Sequence, residues 1–222
     1  MSPELDGALR TGPEYLCLDA GPLINFNDIR ATEQLGEWLA PVAYTPRFVI
    51  NQELGGRPKQ NAPTISAPWL GWVPSHPDDN ALVTKLVLRF GKAKPENQGE
   101  AEVIAACMRY GWTAVLDDED ARAAAFDEGV PSVYTVTLLA AAAAQGLITP
   151  TQGWKMHRAI ETTDENRFSP LKPDHAYKEV FVDFANKLRK LWLHRGQPDW
   201  PLLLAAPELD DMLLILLADF RV

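Results

Sequence analysis

At 222 residues, with 46% hydrophobic and 23% charged side chains, the chain has the make-up of an ordinary globular protein, large enough for one good core or a core plus an appendage. Its net charge of −9 argues against a general nucleic-acid binder, which would carry excess Lys and Arg to displace counterions from phosphate. The 4 His and 2 Cys show no ligand spacing, which points away from zinc.

The opening MSPELDGALRTGPE is polar and acidic and lacks the basic and apolar regions of a secretory signal, so a cytoplasmic location is expected. Tyr15 to Leu18 form an apolar, strand-like run ending at Asp19, and Gly21-Pro22 mark a turn into a short helix beginning near Leu23. Thr32 to Leu39 reads as a helix, Pro41 to Tyr44 as a short strand stopped by Pro46, and FVINQEL as a helix ended by Gly55 and Gly56. Arg57 to Asn80, rich in Pro, reads as a loop with one short strand near Trp72 and Val73. Asp78 or Asp79 then caps a helix running through Arg89. Gly99 precedes the helical segment EAEVIAACMRY, which Gly111 ends.

The clearest unit follows: strand Trp112 to Leu116, an acidic turn, helix Asp120 to Glu128, strand Ser132 to Tyr134, and helix Val136 to Ala144. That order implies a parallel sheet with crossover helices, whose ligand sites lie beyond the carboxyl ends of the strands. After Pro150 the β pattern stops, and helices are expected over Thr151–Thr162, Asp174–His194 and Pro207–Phe220. Pro207, Glu208, Asp210 and Asp211 divide the last apolar run well below the roughly 18 residues of a membrane span, so no membrane partner is expected. Cys17 and Cys107 read as free buried thiols of a reducing compartment.

Acids recur at the ends of apolar runs: Asp19, Glu53, Glu100 and the pair Asp117-Asp118. Two like charges about 4 Å apart repel by roughly 1 kcal/mol in water and by several at a protein-like dielectric, so a fold that gathers them needs protons or a cation. Oxygen ligands in that number suit Mg²⁺ or Mn²⁺.

In their order and spacing, LDAGPLI, VINQEL, GEAEVIAA, VLDDEDAR and VPSVYTVTLLAAAAAQGLI resemble the successive motifs of PIN-domain nucleases, in particular the prokaryotic branch related to toxin–antitoxin ribonucleases. The resemblance spans residues 14–150, leaving a polar tail over 1–13 and a helical C-terminal extension over 151–222. It implies an α/β fold, a three-layer α/β/α arrangement around a central parallel sheet, and hydrolysis of RNA with Mg²⁺ or Mn²⁺. It implies Asp19, Glu100 and Asp118 as metal ligands, with Asp117 and Glu53 assisting. Glu102 competes with Glu100 for its role, and Glu100 is favoured because it follows Gly99. An antitoxin protein and a second copy of the chain are the partners that the family suggests.

One departure stands out. The family usually carries a Ser or Thr within two residues after its first Asp, where this chain has Ala20 and Gly21. Asp19 and Asp118 each precede a helix, so each also suits an N-cap, a role compatible with ligation. Lys85, Arg89 and Lys92, at helical spacing, and Arg122 are candidate phosphate contacts, against the plainer reading of a solvated helix face. Trp69 and Trp72 suit base stacking or core packing. Phosphoryl transfer through an aspartyl phosphate is disfavoured, because Gly21 stands where a second Asp is required and no Lys lies between 95 and 154. The alternative outside catalysis is a PIN-like scaffold that works through its helical extension.

Overall fold

The computed structural model describes Gly12 and residues 15–90, 95–163 and 175–197. Five short strands, β1 (Leu16–Leu18), β2 (Ala43–Pro46), β3 (Gly71–Val73), β4 (Thr113–Val115) and β5 (Ser132–Val133), form one sheet. Its order is β3-β2-β1-β4-β5 and every pairing is parallel. The order reverses at β1, so β1 and β4 leave a crevice at their carboxyl ends, the place where such sheets hold ligands.

Alternation along β1 separates the two faces. Leu16 and Leu18 enter one core, with α1 (Ala20–Asp28), α2 (Thr32–Leu39), α7 (Thr135–Ala144), α8 (Pro150–Thr163) and α9 (His175–His194). Tyr15 and Cys17 enter the other, with α4 (Asn80–Arg89), α5 (Pro95–Tyr110) and α6 (Glu119–Asp127). These are the three layers expected of the chain. All ten residues of α7 are buried, because the sheet covers one side and α8 and α9 cover the other. The alanines of α7 let those helices approach closely, and Trp154, Phe181 and Phe184 fill the space beside them.

The structure corrects several local expectations. The second strand runs Ala43–Pro46, two residues later than expected at its start, with Pro46 as its last residue because the proline there pairs in register with Val73. The Pro-rich stretch after Arg57 holds a helix, α3 (Pro58–Ile65). Pro58 opens α3 at a position whose N–H has no helical acceptor, which is where proline is tolerated. Asp79 is the N-cap residue of α4 as expected, but its carboxylate meets the Arg109 guanidinium instead of making a capping hydrogen bond, and His76 Nδ1 caps the preceding turn Pro77–Asp79 by accepting from Asp78 N. Helix α5 begins at Pro95, so Gly99 lies inside it. The segment VINQEL coils as a π-helical turn over Val49–Leu54. The expected helix Pro207–Phe220 and Lys92 lie outside the described residues.

Candidate metal centre

Asp19 follows the last residue of β1, and its backbone N–H donates to the Val115 carbonyl at 3.1 Å, fixing it to the end of β4. It is the N-cap of α1, where its Oδ2 accepts from Gly21 N at 3.4 Å. The other oxygen, Oδ1, is buried and has no hydrogen-bond partner. Burial pushes the Asp19 carboxyl up to about 6, with the negative charges of Asp117 and Asp118 adding to the rise and the backbone N–H groups of Ala20 and Gly21 opposing it.

Gly21 marks where two carboxylates converge. A Cβ built there would stand 3.8 Å from Oδ2 of Asp19 and 3.8 Å from Oδ2 of Asp117, so both acids face the same small volume. Asp117 is held firmly in that position: its Oδ2 accepts from Asn25 Nδ2 at 2.6 Å and from Thr135 Oγ1 at 2.7 Å, and its Oδ1 accepts from Thr135 N at 2.8 Å. Asn25 and Thr135 are positioning residues that the sequence reading missed. They stand 92 and 18 positions from Asp117, and only the fold brings them together. Thr135 places a hydroxyl at this carboxylate, in a site where positions 20 and 21 have none.

Asp118 is exposed and caps α6, its Oδ1 accepting from Ala121 N at 2.9 Å. The capping role considered for Asp19 and Asp118 is therefore present in both. Arg122, in the first turn of α6, lies at the same edge of the sheet, its guanidinium carbon 3.3 Å from the centre of the Tyr134 ring.

Glu53 lies in the π-helical turn after β2, and its carboxyl packs on Gly99 of α5, where a Cβ would collide with it. α5 runs back toward the start of β4, so its early turns lie toward the carboxyl edge of the parallel sheet, though neither Glu100 nor Glu53 is among the charges that raise Asp19. Glu100 is half-buried there. Residues two apart on a helix point about 200° apart, so Glu100 and Glu102 face opposite ways. Glu102 turns to Ser75 beyond β3, accepting from its Oγ at 2.8 Å.

The remaining candidate cations stand elsewhere. Lys85 pairs with Glu128 at 2.5 Å and Arg89 with Asp127 at 2.7 Å, at the end of α6 remote from Asp118. These pairs tie α4 to α6 rather than reaching toward Asp19. Trp69 packs against the core over Gly36, and Trp72 lies under Arg47 at 4.8 Å.

The donor set suits a hard divalent cation in part. All the candidate donors are carboxylate oxygens, and Asp19 Oδ1 is a buried acceptor awaiting a partner. Among the described residues, however, no three acidic, His or Cys side chains are close enough together to grip an ion as they stand. Residues 16–168, more than half of the chain, match the model of the PIN-domain family. No curated protein and no solved structure matches the chain. By fold and by this match the chain belongs to the PIN-domain family, whose members are typically nucleases.

Proposed function

We propose that the chain is a Mg²⁺- or Mn²⁺-dependent endoribonuclease, with Asp19, Glu100 and Asp118 as metal ligands, Asp117 and Glu53 assisting them, and a toxin–antitoxin pair as its setting. The observation that carries the proposal is Asp19 Oδ1, a buried carboxylate oxygen without a partner, beside Asp117 at the switch point of the sheet. A buried oxygen of this kind costs free energy unless something binds it.

When bound, a divalent ion supplies polarisation of the phosphoryl oxygen and a lowered pKa for a coordinated water. The chain's own groups do the rest. Asp19, raised to about 6, is mostly ionised at neutral pH and offers its charge into a volume largely shielded from water. Asn25 and Thr135 hold Asp117 fixed, so its charge is oriented before substrate arrives. Arg122, steadied over Tyr134, puts a positive charge at the same edge, suited to the substrate's phosphate backbone.

The purified protein is expected to cleave a mixed single-stranded RNA with Mn²⁺ or Mg²⁺, to stop in EDTA, and to lose cleavage as Asp19→Asn while keeping its circular dichroism spectrum. Equal cleavage by the variant would overturn the assignment of Asp19. A second reading, a PIN scaffold without catalysis, is favoured by the three hydrogen bonds that Asp117 already accepts and the absence of a gathered triad among the described residues. It predicts neither cleavage nor any metal-induced rise in melting temperature.

A further inference from the structure

Among the described residues, Glu102 is the one buried carboxylate besides Asp19, with 8% of its surface exposed. Its Oε2 accepts from Ser75 Oγ at 2.8 Å and its Oε1 from Gln98 Nε2 at 3.2 Å. No Lys or Arg pairs with it among the described residues. Each carboxylate oxygen accepts about two hydrogen bonds, so each retains one acceptor position. Glu102 lines a cleft of about 160 Å³ at the carboxyl ends of β2 and β3, between α4 and α5. The cleft is lined by the apolar Val73, Val83 and Ala106 and by the polar His76, Asn80 and Asp79, the last already paired with Arg109. A buried carboxylate at such a cleft, with acceptor positions left over and no cation of its own, is a site for a ligand that brings donors.

We propose that this cleft is a base-binding subsite that takes a guanine of the RNA substrate, with Glu102 accepting from N1–H and N2–H. Calling the ligand part of an RNA substrate rests on the nuclease reading; the recognition chemistry does not. Of the four bases, guanine alone presents two adjacent donors on its Watson–Crick edge, matching the two oxygens of a carboxylate. Uracil offers one donor between two acceptors, while adenine and cytosine set an acceptor beside their amino group, and those acceptors would meet the carboxylate's negative charge.

Size and shape agree with this choice. Small-molecule pockets generally start at roughly 300 Å³, so a cleft of about 160 Å³ holds one planar ring system rather than a whole nucleotide or an extended peptide. Tyr110 in its wall ends an aromatic stack: it lies 4.8 Å from Trp112, which lies 4.6 Å from Tyr44. Tyr110 thus gives the wall of the cleft an aromatic residue, the kind of side chain on which bases stack. α5 bears Glu102 on one side and Glu100 on the other.

Titration of the full chain in EDTA with the 5′-monophosphates of guanosine, adenosine, cytidine and uridine tests the subsite without any metal or cleavage. GMP is expected to bind about tenfold or more tightly than the other three, and Glu102→Gln to remove that preference. The order of the four nucleotides on the unaltered protein decides the matter even where the variant folds poorly. Equal binding of all four, or no binding at millimolar concentration, overturns the proposal. Binding of arginine amide in place of GMP also overturns it and assigns the cleft to a peptide's guanidinium. GMP selectivity in a protein that cleaves no RNA keeps the subsite and removes the nuclease reading, whereas RNA cleavage without GMP selectivity does the reverse.

Discussion

At the scale of single residues, Asp19 sets stability against function. In an unfolded chain its carboxyl titrates near 3.9. In the fold it is pushed up to about 6, first by burial and then by the charges of Asp117 and Asp118. The folded state thus holds this proton more tightly than the unfolded one. The cost of ionising Asp19 is absent below about pH 4 and grows to about 3 kcal/mol above about pH 6 in metal-free protein. Asp19→Asn keeps a good N-cap residue and removes that cost. The variant is expected to be more stable than the parent by about 1–3 kcal/mol at pH 7.5 in EDTA, with a flatter profile between pH 4 and 6 in thermal melts. Matching profiles would show that Asp19 ionises freely. Asn25→Ala removes a donor from Asp117, and denaturant melts are expected to show a loss of about 1–3 kcal/mol. Asp19, Asp117 and Asp118 were legible in the sequence because each follows an apolar strand, a local signal. Asn25 and Thr135 were not, because a polar residue in a helix carries no mark of the distant carboxylate it serves.

At the scale of elements, the meeting of the π-helical turn Val49–Leu54 with α5 explains both a misreading and a constraint. Glycine and proline serve as punctuation in a sequence, so Gly99 reads as a helix boundary and the prolines after Arg57 as a loop. In the structure Pro58 and Pro95 each open a helix, and Gly99 sits within α5 because the Glu53 carboxyl occupies the place of its side chain. The choice was made by packing between elements far apart in sequence, which periodicity does not report. In Gly99→Ala the better helix propensity of alanine, about 1 kcal/mol, offsets much of the repacking, since the nearest atom displaced is the terminal oxygen of a Glu side chain. Stability is therefore expected to change by no more than about 1 kcal/mol in denaturant melts, while RNA cleavage falls severalfold because Glu53 is moved. Full cleavage would remove Glu53 from the site. The helices with regular apolar spacing, α2 among them, were legible because their partners lie along the whole of one face.

At the scale of the molecule, the sequence showed where the β pattern ends but not how the helices beyond it are used. α8 and α9 join the core around α7, and Ile160, Val180, Phe181, Phe184 and Leu188 are buried in it. A chain ending at Pro150 would leave the outer face of α7 to water, and is expected to be insoluble or to lack a cooperative melt. The sheet order, with β1 beside β4 at its centre, sets Asp19 and Asp117 side by side although almost a hundred positions separate them. That juxtaposition is the basis for assigning a divalent cation here, and calorimetric titration with Mn²⁺ at neutral pH tests it without knowledge of the RNA. The unaltered protein is expected to bind Mn²⁺ saturably, and Asp19→Asn, folded and melting no lower, to bind it at least tenfold more weakly. Absence of binding in the unaltered protein, or equal binding in both, would contradict the metal centre.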